Sequence, residues 1–123
     1  MIQKIKNLKK QHLKHLNDEL ERIKSKLIKL GAQLIILFGS AARDELSLTS
    51  DIDLIAIIDS NKSFVERLEE IYLKLQPKGV DLLVYTPDEF NRMRKDNLFI
   101  QHVIKEGKVI YEKTKNIFDN NYK

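Results

Sequence analysis

The sequence predicts a small mixed α/β domain: a central sheet of three to five strands, helices packed largely on one face, and a long N-terminal helix among them. Two observations carry this expectation. Apolar residues recur at alternating spacings of three and four through the first thirty residues and again between Ser63 and Leu75. Between the helical stretches lie short runs of branched apolar residues, each of strand length and each bounded by Gly, Ser or Pro.

In the first element, Leu13, Leu16, Leu20, Ile23, Leu27 and Leu30 form an apolar stripe that Ile2, Ile5 and Leu8 continue less regularly, and Gly31 ends it. The stripe has the period of a coiled-coil seam but spans fewer than three heptads, so it is expected to pack on the domain's own sheet, with a homodimer seam as the alternative. Leu34-Ile35-Ile36-Leu37-Phe38 reads as a buried strand closed by Gly39-Ser40, and Ile52 to Ile58 as a second. Ser63 with Glu66 three residues on opens a helix that Pro77 and Gly79 interrupt. Val80 to Tyr85 is a third strand. Thr86-Pro87-Asp88-Glu89 then joins a cap, a proline at the first helical position and a capping glutamate. A last helix is expected from Asn97 to Glu106, and Val109-Ile110-Tyr111 could add an edge strand.

A chain of 123 residues, 42% hydrophobic and 33% charged, has room for one core of ordinary size. We expect one domain over 1–113, made of the helix at 1–30 and a core at 33–111, with a polar tail at 114–123 that frays. Having no cysteine, the chain can form neither a disulfide, a thiolate metal site nor a cysteine nucleophile. Its longest apolar stretch, Leu34 to Phe38, is too short to span a bilayer, and no apolar signal core follows the N-terminal lysines, so a cytoplasmic protein is expected. Residues 1–30 carry nine Lys/Arg against three acids. Such a face could dock an acidic partner or a nucleic acid, although lysine on the solvent side of a helix is the commoner reading.

The chemistry concentrates in residues 38–54 and one later acid. Gly39 lets backbone approach a ligand, and the N–H groups and Ser40 hydroxyl at the following turn suit an anionic phosphate. Asp51 and Asp53 are two apart on a predicted strand, so both carboxylates should point the same way. Two neighbouring carboxylates repel unless a counter-charge joins them, and magnesium, which takes carboxylate and phosphate oxygens, supplies one. Asp81, early in the next strand where an acid is disfavoured, would complete a triad if the two strands pair. Two metal ions held there could stabilise the attacking and leaving oxygens of an in-line displacement at phosphorus. Arg43 could reach a phosphate oxygen and Ser50 could hydrogen-bond near the metal, each equally at home in a surface or turn role. His12 and His15 read as a solvated helix face, and His102, Tyr72, Tyr85 and Tyr111 as packing residues.

At Gly39-Ser40, the ten residues that follow, Asp51-Ile52-Asp53 and the lone Asp81, the chain resembles the polymerase-beta-like nucleotidyltransferase superfamily, in particular its minimal members. The resemblance extends over residues 33–111 and includes the run Glu106-Gly107-Lys108-Val109-Ile110-Tyr111. It implies that Gly39 and Ser40 hold a triphosphate, that Asp51 and Asp53 ligate magnesium, and that Asp81 completes the metal site and helps activate an acceptor hydroxyl. Many relatives have glycine after the arginine corresponding to Arg43; here that position is Asp44.

Minimal members often act as antitoxins that move AMP from ATP onto a tyrosine of a helical HEPN ribonuclease. The first expectation is therefore magnesium-dependent AMPylation of such a partner. A binding module that neutralises its partner by contact, and a transferase acting on a small molecule such as an aminoglycoside, are the alternatives.

Overall fold

The computed structural model describes residues 2–43 and 51–114. The N-terminal stripe forms helix α1 (Ile2–Lys29). Gly31 closes it, at a φ of +101° that costs glycine nothing. Strand β1 (Leu34–Phe38) follows and runs into a single 3-10 turn, Gly39–Arg43. Next come β2 (Ile52–Ile57), α2 (Phe64–Leu75) and β3 (Val80–Tyr85). Helices α3 (Pro87–Asp96) and α4 (Leu98–Glu106) and the strand β4 (Lys108–Glu112) complete the chain. The tail beyond Thr114 lies outside the described residues, as do Asp44 and Ser50.

The local signals act where the sequence places them. Thr86 caps α3 in a full capping box with Glu89, and Pro87 takes the first turn. Ser63 accepts the Glu66 N–H at 3.3 Å at the start of α2. Asn97 both ends α3 and caps α4, accepting from the Ile100 N–H at 3.0 Å.

The four strands form one mixed sheet in the order β3-β2-β1-β4. β1 lies antiparallel to β2 and β4, while β2 and β3 are parallel, joined by the α2 crossover. Alternation then sorts the side chains between two layers. Ile35, Leu37, Ile52, Leu54, Ala56, Val80, Leu82 and Val84 meet Leu16, Ile23 and Leu27 of α1 and Ile71 and Leu75 of α2. Leu34, Ile36, Ile55 and Ile57 meet Phe90, Ile100 and Val103 of α3 and α4. The two longer helices thus share one face, and the two shorter ones cover the other. β4 is the edge strand that the run at 109–111 predicts. Among the described residues no helix is long and apolar enough to cross a membrane.

One buried acid ties α1 to the turn before β3. Glu19 accepts from Arg22 at 2.7 and 2.8 Å and from the Lys78 backbone N–H at 2.6 Å. The Arg22 hydrogen bond, more than the opposing effect of burial, holds the Glu19 carboxyl down at about 2. Arg22 reaches solvent, so screening reduces what its bond contributes to stability. Glu19→Gln is expected to cost about 1.5–3 kcal/mol, the range for hydrogen bonds to a charged group, measured as a lowered urea midpoint. A depressed folded-state pKa gives stability that is complete above the unfolded value. The gap between variant and wild type should therefore hold above pH 4.5 and close as pH falls toward about 2. A gap independent of pH would show that the charge contributes nothing.

Candidate functional site

The candidate site forms at one end of the sheet, where β1 ends and β2 and β3 begin. β1 and β2 pair so that Phe38 lies opposite Asp53. The turn at Gly39 is therefore brought directly against that carboxylate. Gly39 has a φ of +72°, and a Cβ built there would fall 2.5 Å from Asp53 Oδ2. Only glycine gives both the left-handed backbone and the room for the acid beside it.

The parallel pairing of β2 with β3 places Asp53 opposite Asp81. Residues paired across strands share a face, so both acids lie on the α3/α4 side, below Ile55 and Ile57 along β2. Asp51 stands just before β2. The Ile52 N–H donates to the Gly79 carbonyl at 2.9 Å, and Asp51 Oδ1 lies 4.0 Å from where a Cβ on Gly79 would sit. Asp51 and Asp81 are exposed and Asp53 is half-buried. Asp53 and Asp81 thus lie side by side on neighbouring strands, with Asp51 at the entry to β2.

Burial pushes the Asp53 carboxyl above the usual carboxylate range, and the negative charges of Asp81 and then Asp51 push it further the same way. This is the electrostatic signature of an anionic site without enough positive charge of its own. Among the described residues no three acids or histidines close a cage around a single point. Magnesium does not require one, since it is commonly bound by one or two carboxylates together with waters and substrate phosphates. The donors, all hard carboxylate oxygens, fit such an ion.

Ser40, partly buried, and Arg43, exposed, lie in the 3-10 turn next to Gly39. Ser50 lies outside the described residues. An aromatic pair that sequence reasoning did not assign to the site flanks it: Phe38 meets Phe99 of α4 edge to face, with ring centroids 5.5 Å apart. The contact depends on strand register and helix docking, which leave no local signal. A cavity of about 250 Å³, lined by Ile58, Arg67 and Ile71, sits at the opposite end of β2.

The family described as polymerase beta, nucleotidyltransferase matches residues 21–116, most of the chain. The chain belongs to the polymerase beta nucleotidyltransferase family. A solved structure supports the fold. A candidate nucleotidyltransferase from Sulfolobus solfataricus superimposes with a TM-score of 0.62 at 18% identity, covering 85% of this chain and 87% of that one. A toxin–antitoxin structure with AMP-PNP is more distantly similar, with a TM-score of 0.49 at 21% identity over 80% of this chain and 75% of that one. A mutant of the toxin–antitoxin pair MntA-HpeT gives a TM-score of 0.45 at 25% identity over 76% and 75%. No curated protein matches the sequence. In this nucleotidyltransferase family member, the glycine turn and the acids of β2 and β3 occupy one end of one sheet.

Gly39→Ala tests the turn. The left-handed backbone alone costs about 1–2 kcal/mol, and the methyl group must also displace the Asp53 carboxylate. We expect a lowered melting temperature and triphosphate affinity reduced at least tenfold, measured by calorimetry. Unchanged affinity would separate the turn from the binding site.

Proposed function

We propose that the protein is a magnesium-dependent nucleotidyltransferase that moves AMP from ATP to a tyrosine hydroxyl of a HEPN-type helical protein. The observation that carries the transfer reading is the pairing of Asp53 with Asp81 across parallel strands, with Asp51 beside them and Gly39 against Asp53. Family membership supports the reaction class. The acceptor is proposed from the resemblance of residues 33–111 to minimal members of the superfamily.

Asp51, Asp53 and Asp81 would hold the magnesium.

 Two ions are proposed, both held by these three acids. Magnesium bound there supplies neutralisation of the phosphate charge and polarisation of the phosphorus–oxygen bonds. The chain's own part is positional. The backbone N–H groups of the turn after Gly39, with the Ser40 hydroxyl and the Arg43 guanidinium, hold the triphosphate; Ser50 is proposed to assist. Asp81 takes the proton of the acceptor hydroxyl. The acceptor oxygen attacks the α-phosphorus, the bond from that phosphorus to the bridging oxygen breaks, and pyrophosphate leaves.

The test is incubation with α-labelled ATP, magnesium and the HEPN-type protein encoded nearest to this chain. Label should pass to the partner from wild type and not from Asp53→Asn. Equal labelling by both would remove Asp53 from the mechanism. Neutralisation of the partner without any labelling would leave a contact-based binding module as the better account.

A further inference from the structure

β3, the strand that carries Asp81, stands at one end of the sheet order and has a strand neighbour on one side only. The Gly79 and Tyr85 carbonyls accept from the N–H groups of Ile52 and Ile58 at 2.9 Å each. A parallel strand turns the main-chain groups of alternate residues to alternate sides, so Asp81 and Leu83 also address β2, while Val80, Leu82 and Val84 address the outer edge. Two side chains of α2 meet those outward groups. The Leu82 N–H donates to the Tyr72 hydroxyl at 2.8 Å, and that hydroxyl donates to the Leu82 carbonyl at 3.3 Å. The Val84 carbonyl accepts from Arg67 at 2.8 Å.

The Leu82 N–H belongs to the peptide that joins Leu82 to Asp81. That peptide turns its carbonyl, the one belonging to Asp81, toward β2 and its N–H toward Tyr72, so it is gripped from both sides. A planar peptide held at both of its polar groups cannot roll about the strand, and its plane sets the direction in which the Asp81 side chain leaves the backbone. The Tyr72 ring itself packs into the layer between the sheet, α1 and α2, whereas Asp81 lies exposed on the other face. Packing accounts for the ring but not for a hydroxyl set between both polar groups of one residue. Position matters at such an acid: magnesium holds its oxygens at about 2 Å in close to octahedral geometry, and a ligand displaced by more than about 0.5 Å serves it poorly.

We infer that Tyr72 is a positioning residue for the candidate ion site, its hydroxyl gripping the peptide between Asp81 and Leu82 and so holding the Asp81 carboxylate in place beside Asp53. This rests on the reading of Asp81 as an ion ligand, and gives that acid a support from the opposite layer of the fold.

The experiment compares wild type with Tyr72→Phe, which keeps the ring and removes the hydroxyl, and with Ile71→Val, which loosens the same core without touching a hydrogen bond. Hydrogen exchange should speed at the Leu82 amide in Tyr72→Phe and stay as in wild type at Leu83, whose N–H faces β2. The magnesium concentration that half-saturates binding of a non-hydrolysable ATP analogue should rise about fivefold in Tyr72→Phe, the effect of one lost hydrogen bond, and stay unchanged in Ile71→Val. In an Asp81→Asn background, removing the hydroxyl should weaken analogue binding no further, because Tyr72 acts through that acid. Faster exchange at Leu82 with an unaltered magnesium requirement would overturn the inference, leaving Tyr72 as a seal on the sheet edge and the ion site standing. Equal weakening in the wild-type and Asp81→Asn backgrounds, or an equal rise in Ile71→Val, would overturn it too, since the effect would then be one of general stability. Analogue binding by wild type that needs no magnesium would overturn both the inference and the reading of Asp81 on which it rests.

Discussion

Asp53→Asn is expected to reduce nucleotidyl transfer by roughly 1000-fold, about 4 kcal/mol of transition-state stabilisation, while raising the melting temperature of the protein alone. The two effects have one origin. Asparagine keeps the shape of aspartate but cannot carry the negative charge that a divalent ion needs. The same charge is a burden to the fold, since Asp53 is half-buried and faces Asp81 and Asp51. Its folded-state carboxyl titrates above the ordinary value of 3.8, so the acid form is the one the fold prefers. The stability this contributes is complete below 3.8 and is lost as pH rises through the raised value. At neutral pH the variant should therefore melt higher, and the difference should shrink as the solution is acidified. Thermal melts from pH 3 to 8, run without magnesium, check this directly. A variant that is inactive and also less stable would point to Asp53 as a structural acid.

The largest expected loss of stability lies at Arg67, well away from the carboxylates. Its side chain is only 4% exposed. It donates to the Val84 carbonyl at 2.8 Å, to the Lys62 carbonyl at 2.9 Å and to both oxygens of Glu89 at 2.9 and 3.2 Å. Glu89 also accepts the Thr86 N–H at 2.8 Å. One guanidinium thus joins α2, the end of β3 and the capping box of α3. Burial pushes the Glu89 carboxyl up, but its hydrogen bonds to Arg67 and Thr86 prevail and hold it below the ordinary range. Arg67→Ala leaves a partly buried carboxylate and two carbonyls without their donor. The expected cost is about 3–5 kcal/mol, a large part of the roughly 5–15 kcal/mol that holds an ordinary domain together. Urea unfolding measures it, and a change below about 1 kcal/mol would mean that water replaces the guanidinium.

What was legible in the sequence follows the range of the forces involved. Helix ends at Gly31 and Thr86, and strand runs at 34–38 and 80–85, are set by neighbouring residues and could be read directly. The carboxylates could be named because their spacing is unusual for a strand. Their meeting could not, because it depends on β2 pairing antiparallel with β1 and parallel with β3. That choice depends on the crossover of α2 and on packing across the whole sheet. Glu19 and Arg67 were missed for the same reason. Each looks like an ordinary charged residue on a helix, and only the approach of the Lys78 turn and of β3 and α3 gives either a buried partner.

The most direct measurement is calorimetric titration of a non-hydrolysable ATP analogue into wild type and Asp81→Asn, each with magnesium and with a chelator. Wild type should bind only when magnesium is present, and the loss of the β3 carboxylate should weaken that binding at least tenfold. Binding that is indifferent to magnesium, or unaltered when Asp81 loses its charge, would contradict a shared ion site on β2 and β3.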